Sequence, residues 1–444
     1  MAVPEAPTQP HPDDFPHAGS DSEQNNHKTV QGADGGYASV IVGAILASYS
    51  VSWGINTTFG VYVSFLIEHD YIPGGTPLRY GFVGGLSIAG ALLSAPLMHF
   101  LINKFGFRVP FVLGIVCVVL GQCLAGLCTS FGAYLVCQGL VFSIGLGAIL
   151  LPSQIILVQW FDRRLGLAQG LANAGSGLGG LVLSNTTRLL IETLSLKKAL
   201  IVNGAISAAV LIPCLCLLRR GPMDTSRRLE LPQLRWLHHP GYIWVWTWGF
   251  SALMSYCIAM YTIASYASGG LGLSQTQAAA LQSLLAAGLL VGRPLTGLLL
   301  DVGGRINVAI LLNIAAGVSC WALWLPARSF ALMAVFALVQ GCTGGAVWVA
   351  AAPVTVEIVG TARSGSALAM FWLVVAPSAA FSSPSAIGLL TYARTHLHKD
   401  GAEAYAISIG FCGALFVLSS MFLCGAKLYQ RRESNVVGEK AEVI

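Results

Sequence analysis

Long apolar runs separated by short charged turns set the rhythm of this chain. Nearly uncharged segments of about 20 residues or more, each long enough to cross a bilayer, cover 38–67, 79–102, 109–128, 131–158, 165–190 and 199–218. A polar stretch, 219–240, with five arginines, three prolines and two histidines, then interrupts the pattern; it is too polar to insert and long enough to tie two bundles together. The apolar runs resume at 241–267, 275–300, 306–325, 330–356, 364–392 and 404–429. The pattern predicts an all-α membrane protein with twelve transmembrane helices in two six-helix bundles, 37–218 and 241–429. In the fifth run, small residues recur at four-residue spacing, Ala168, Ala172, Ser176 and Gly180, with Gly166, Gly170 and Ala174 beside them. Such a stripe lets a neighbouring backbone come very close. Asp162, Arg163 and Arg164 form the turn that leads into it.

Composition agrees with the pattern. The 444 residues are 55% hydrophobic and 10% charged, with a mean hydropathy of +0.71, far from the composition of a soluble domain. The net charge of +5 sits in connecting loops and reports topology instead of nucleic-acid binding. With both tails inside, the cytosolic segments hold sixteen lysines and arginines and the opposite side seven, Arg293 being the twenty-fourth. That bias places both termini in the cytosol, and the plasma membrane is the expected location. Residues 1–36 read as a disordered cytosolic tail without the layout of a signal peptide, and 430–444 as a second cytosolic tail. His11, His17 and His27 are too dispersed for a metal site. The eleven cysteines lie inside apolar segments and are expected to be reduced and packed. No cofactor, metal or nucleic-acid partner is expected, only the lipid bilayer and a small-molecule cargo.

An internal repeat relates the halves. A shift of 198 positions lays LLSAPLMHFLINKFG of the second run on LLVGRPLTGLLLDVGG of the eighth, matching Pro96 to Pro294, Asn103 to Asp301 and Gly106 to Gly304. A shift of 202 brings Gln138 and Gly139 onto Gln340 and Gly341. Two pseudo-symmetric halves with a binding site between them near mid-membrane characterise secondary transporters.

Gly297, Asp301, Gly304 and Arg305 spell G-x-x-x-D-x-x-G-R between the eighth and ninth runs, which resembles the cytosolic loop signature of the major facilitator superfamily. Two glycines allow a tight turn, while Asp301 can accept from helix N-terminal amides or pair with an arginine, giving a latch on one conformation. The first-half copy, with His99, Asn103, Lys104, Gly106 and Arg108, has lost the acid and predicts a weaker latch. Within that superfamily, WFDRRLGLAQGLANAGSGLGG is similar to the segment joining spans four and five in fungal members of the monocarboxylate porter family, and Val291 to Pro294 adds to the likeness. Drug/proton antiporters usually carry proline after the first glycine of a G-P-x-x-G-G motif in span five; Ser176 stands there in this chain.

One full charge lies well inside a run: Arg293, eight residues before Asp301 and so about 12 Å from the turn at about 1.5 Å per residue. An embedded arginine costs about 2.5–3.5 kcal/mol on insertion scales and by default marks a polar cavity or a pair. Its repeat partner is Ala95, so the fold itself does not demand a cation there, whereas a substrate carboxylate would use the guanidinium fork. The family resemblance implies the same role for Arg293 of its Arg-Pro pair. The alternative is a structural pair with helix carbonyls. The lysine and aspartate found in characterised symporters of that family correspond to Val61 and Leu289, and no acid lies deep in any run, which predicts weak or absent proton coupling through protein carboxylates. Asn56, Thr57, Gln154, Tyr256, Tyr261 and Trp348 are the further candidates for the cavity, and Pro152, Pro294, Pro353 and Pro377 suit helices that bend along a path. The resulting expectation is a transporter of a small organic anion, a monocarboxylate, by alternating access, with Gly297, Asp301, Gly304, Arg305, Asp162, Arg163 and Arg164 as its conformational latch. Export of a fungal secondary metabolite on the same fold is the alternative, and a non-transporting nutrient sensor a further one. An intramembrane enzyme is not expected: the chain has no nucleophile elbow, H-E-x-x-H or embedded acid pair.

Overall fold

Residues 34–69, 71–223 and 240–442 are described in a computed structural model of the protein. Residues 1–33 of the expected tail, with its three histidines, and most of the central loop lie outside the described residues. Twelve long helical rods follow in chain order: α1 (Ala38–Glu68), α2 (Arg79–Phe105), α3 (Arg108–Ala125), α4 (Phe131–Trp160), α5 (Leu165–Thr193), α6 (Leu196–Leu217), α7 (Pro240–Gly270), α8 (Gln275–Gly303), α9 (Arg305–Trp324), α10 (Phe330–Val359), α11 (Ser364–His396) and α12 (Ala406–Arg432). No strand occurs among the described residues. Eleven of the rods are long and apolar enough to cross a membrane by length and composition. The twelfth, α5, falls short because glycine, serine, asparagine and glutamine dilute its hydropathy; it packs mainly on α8 and α1, so protein surrounds much of it. The last helix runs to Glu442, past the expected end at Tyr429.

Several rods are interrupted where their sequences weaken the helix. α1 breaks at Ser52 and Thr58, flanking Trp53–Thr57; α2 breaks at Ser94 ahead of Pro96; α10 breaks at the Gly344-Gly345 pair. α8 starts with a capping box, Ser274 accepting from the Gln277 amide at 3.2 Å and Gln277 from the Ser274 amide at 3.1 Å. It ends at Gly304, whose φ of 85° permits the sharp turn into α9.

Two seams join the halves. Along the first, α5 and α8 meet glycine to backbone: a Cβ on Gly170 would stand 2.3 Å from the Arg293 carbonyl, and one on Gly297 would stand 2.2 Å from that of Gly166. The small-residue stripe read from the sequence is this contact, extended to α1 by Gly179 and Gly54, whose backbones also touch. Along the second seam α2 packs on α11, from Gly85 against the Ala379 carbonyl to His99 against Gly365. The two seams obey the internal repeat, since His99 and Gly365 occupy the positions of Gly297 and Gly166.

Candidate functional site

Between the halves lies a small cavity of about 30 Å³, against the roughly 10–15 Å³ needed to hold one water. Tyr49, Trp53, Asn56 and Thr57 of α1, Ile88 of α2, Leu150 of α4 and Asn173 and Ser176 of α5 border it from one half. Tyr256 and Met260 of α7, Arg293 of α8 and Trp348 of α10 border it from the other.

Arg293 is 6% exposed and points at the opposite half instead of toward lipid. Its Nη1 donates to the Asn173 carbonyl at 2.7 Å and to the Ser176 hydroxyl, while the Tyr256 and Tyr49 phenols lie beside the guanidinium. Its Nε has no acceptor. No carboxylate pairs with it among the described residues, whose salt bridge is the exposed Arg188–Glu192 pair at 2.9 Å. A buried cation held only by neutral acceptors retains unspent capacity for an anion. Gly345 makes room here: a Cβ on it would meet Leu289, Arg293 Nε and Tyr256 at 3.0–3.8 Å. Pro294, next in the chain, removes the amide that would have bonded to the Leu290 carbonyl.

The sequence-predicted candidates divide. Asn56, Thr57, Tyr256, Trp348 and Arg293 converge on the cavity. Gln154 does not: its side-chain oxygen accepts from Trp372 Nε1 at 2.8 Å, so it ties α4 to α11. Tyr261 also stands outside the lining, its hydroxyl directed at Gly84 on α2. Asn56 is committed to Ser87, which donates to its oxygen at 2.8 Å. Tyr49, Trp53, Asn173 and Ser176 were not singled out as contacts. The last two belong to the conspicuous span-five segment, whose small residues suggested packing and concealed the two polar ones. Trp53 meets Trp348 across the halves as a tilted pair, with ring centroids 5.0 Å apart, and Trp348 stacks on Trp372 at 5.2 Å.

The latch residues sit at one end of the first seam. Asp301 accepts from the amides of Gly166 and Leu167, each at 2.7 Å, and so caps the first turn of α5 from the other half. Arg305 donates to the Asp162 carbonyl at 3.0 Å. Of the two routes open to Asp301, helix amides and an arginine, it takes the amides. Arg163 and Arg164 contribute through their backbones: their amides donate to the carboxylate of Asp34 at 3.1 and 3.2 Å. One turn is thus gripped by two acids, Asp34 from its own half and Asp301 from the other. At the repeat-related place, Asn103 lies 3.4 Å from the His99 ring nitrogens.

Comparison with known proteins agrees with this architecture. The Major Facilitator Superfamily profile matches residues 35–383. "Probable transporter MCH2" of Saccharomyces cerevisiae is 27% identical over 397 residues, covering 88% of this chain and 83% of that protein. "MFS-type transporter pynF" of Aspergillus niger is 29% identical over 308 residues, covering 69% of this chain and 70% of that one. Among solved structures, the proton:xylose symporter XylE bound to 6-bromo-6-deoxy-D-glucose superposes with a TM-score of 0.71 at 14% identity, covering 88% of this chain and 95% of its own. The chain belongs to the Major Facilitator Superfamily and is a multi-pass membrane transporter.

Proposed function

We propose that the chain carries a small organic anion, a monocarboxylate, by alternating access, with Arg293 as the group that receives the charge. The observation that supports this best is the isolation of that cation. It is buried at the cavity between the halves, without an acidic partner among the described residues, and is tied across the seam only to a carbonyl and a hydroxyl. A carboxylate entering the site would offer a charged, two-oxygen acceptor in their place, and such bonds are about twice as strong as neutral ones. Arg293 would then exchange α5 for the cargo, loosening the α5–α8 seam as the cargo binds. The similarity of the 160–180 segment to the monocarboxylate porters supports the same reading.

The face bearing the Asp301 latch is the cytosolic one in this reading, with both termini on it and the plasma membrane as its location. Latch closure there and rocking of the two halves about Arg293 would open the site alternately to each side. The cavity holds no acid, so protons are not carried by a fixed protein carboxylate. A second reading, export of a fungal metabolite, draws on the aromatic and apolar walls around the single cation, which suit a cargo with a sizeable apolar body.

Accumulation of a panel of labelled carboxylates in cells expressing the wild type or Arg293→Ala tests the proposal. Uptake or efflux of at least one acid above vector control, lost in the alanine variant at equal surface expression, is the expected outcome. Transport unchanged in the variant refutes the role of Arg293.

A further inference from the structure

Three buried donors on side chains that border the central cavity have no acceptor. Arg293 Nε, Trp53 Nε1 and Trp348 Nε1 all lack acceptors, and all three side chains border the cavity while being only 6%, 8% and 5% exposed. Of the acceptors nearby, the Asn56 oxygen receives Ser87, and the Asn173 carbonyl and Ser176 hydroxyl receive Arg293. A buried donor without a partner is costly and calls for a reason. Trp246, Trp248 and Trp324 also have unpartnered indole nitrogens; they stand outside the lining of this cavity, Trp248 and Trp324 packing on Phe371 and Phe336. Trp372 marks the contrast, because its N–H is taken by Gln154. At the cavity, the two open indoles come from opposite halves and meet ring to ring at 5.0 Å and 60°.

We infer that Trp53 and Trp348 form a second recognition point for the cargo, donating to an oxygen that it carries apart from its carboxylate, on a flat unsaturated body that lies against their rings. The cargo class is therefore an aromatic or conjugated acid bearing a ketone, lactone or ether oxygen, in preference to a plain aliphatic acid. A site built to donate rejects an analogue lacking the acceptor, because the donors are left dry. The indoles belong to α1 and α10, so one cargo oxygen held between them engages both halves. This inference rests on the anion reading of Arg293 and adds to it a requirement that Arg293 does not impose.

The test uses 4-acetylbenzoate and 4-isopropylbenzoate, acids of nearly equal size that differ in one acceptor oxygen, titrated calorimetrically into the purified full-length protein in nanodiscs. The expected result is tighter binding of the ketone by about three- to ten-fold, the worth of a net neutral hydrogen bond, although its apolar counterpart is the more hydrophobic. In Trp53→Phe and Trp348→Phe, which keep a ring and are checked for monodisperse elution, the ratio of the two affinities falls towards one, whatever the change in each acid taken alone. Equal or tighter binding of 4-isopropylbenzoate to the wild type, a ketone preference that survives both tryptophan changes, or binding of neither acid overturns the inference. Arg293→Ala separates the two layers. Loss of both acids with no ketone preference in the wild type leaves the anion reading standing and removes this one, whereas unchanged binding of both acids to Arg293→Ala removes the anion reading itself.

Discussion

Replacing Asp301 with alanine opens the latch by an amount that its geometry allows to be worked out. The carboxylate makes two bonds of 2.7 Å to the Gly166 and Leu167 amides, each spanning the two halves. Hydrogen bonds to charged groups contribute about 1.5–3 kcal/mol apiece. Asp301 is only partly buried, so water competes for it and brings the contribution down to about 1–2 kcal/mol apiece, about 2–4 kcal/mol for the pair. At about 1.4 kcal/mol per tenfold, that is roughly a 30- to 700-fold shift of the closed-to-open equilibrium at this seam. Hydrogen–deuterium exchange of the purified protein reads it directly, because those two amides have no intrahelical acceptor in the first turn of α5 and owe their protection to Asp301. In Asp301→Ala, peptides covering 163–170 should exchange faster by a factor in that range, with α3 and α6 unchanged. Asp301→Asn, which keeps one neutral acceptor, should fall between. Identical protection of 163–170 in wild type and Asp301→Ala would show that the latch bonds do not hold the seam.

Other consequences are open to similar measurement. Gly170→Val forces a side chain into the Arg293 carbonyl, 2.3 Å from its Cβ position, and should weaken the α5–α8 seam by about 1–3 kcal/mol as overpacking does, seen as lowered thermal stability with faster exchange along α8. Gly410→Ala, where nothing lies within 4 Å, should be neutral or stabilising by up to about 1 kcal/mol. Asp34→Ala removes the acceptor of the Arg163 and Arg164 amides and should lower stability by about 0.5–2 kcal/mol, the range for a lost helix cap, with faster exchange confined to 160–164; unaltered exchange there would deny Asp34 its part in the turn. Gln154→Met breaks the bond to Trp372 and should cost about 1 kcal/mol while leaving cargo affinity unchanged, and a large loss of affinity would return Gln154 to the binding surface.

The parts of this molecule that were legible in the sequence are those written as contrast. A charge inside an apolar run is visible, so Arg293 stood out, and a motif of glycines and an acid at a membrane-face turn identified Asp301, Gly304 and Arg305. Span positions came through within a few residues because bilayer thickness fixes run length. The small-residue stripe of α5 also announced its close partner, although not that the partner would be α8 of the other half. Which face of a helix meets the cavity was less accessible. Every face of α4 and α7 is apolar, so no periodicity separates Gln154 and Tyr261, which miss the cavity, from Tyr256, which lines it. Trp53 and Tyr49 are uncharged and look like core. Arg163 and Arg164 were conspicuous for their side chains, whereas the fold uses their amides, a role that any residue type could fill.

The central claim is that the buried guanidinium of Arg293 recognises the negative charge of the cargo. It is tested most directly by comparing binding of 4-acetylbenzoate with that of its uncharged amide, 4-acetylbenzamide, to wild type and Arg293→Ala. The account predicts that the wild type prefers the acid by about tenfold or more, the scale of a charge-assisted bond, and that the alanine variant shows no such preference. An equal preference for the acid in both proteins would contradict it.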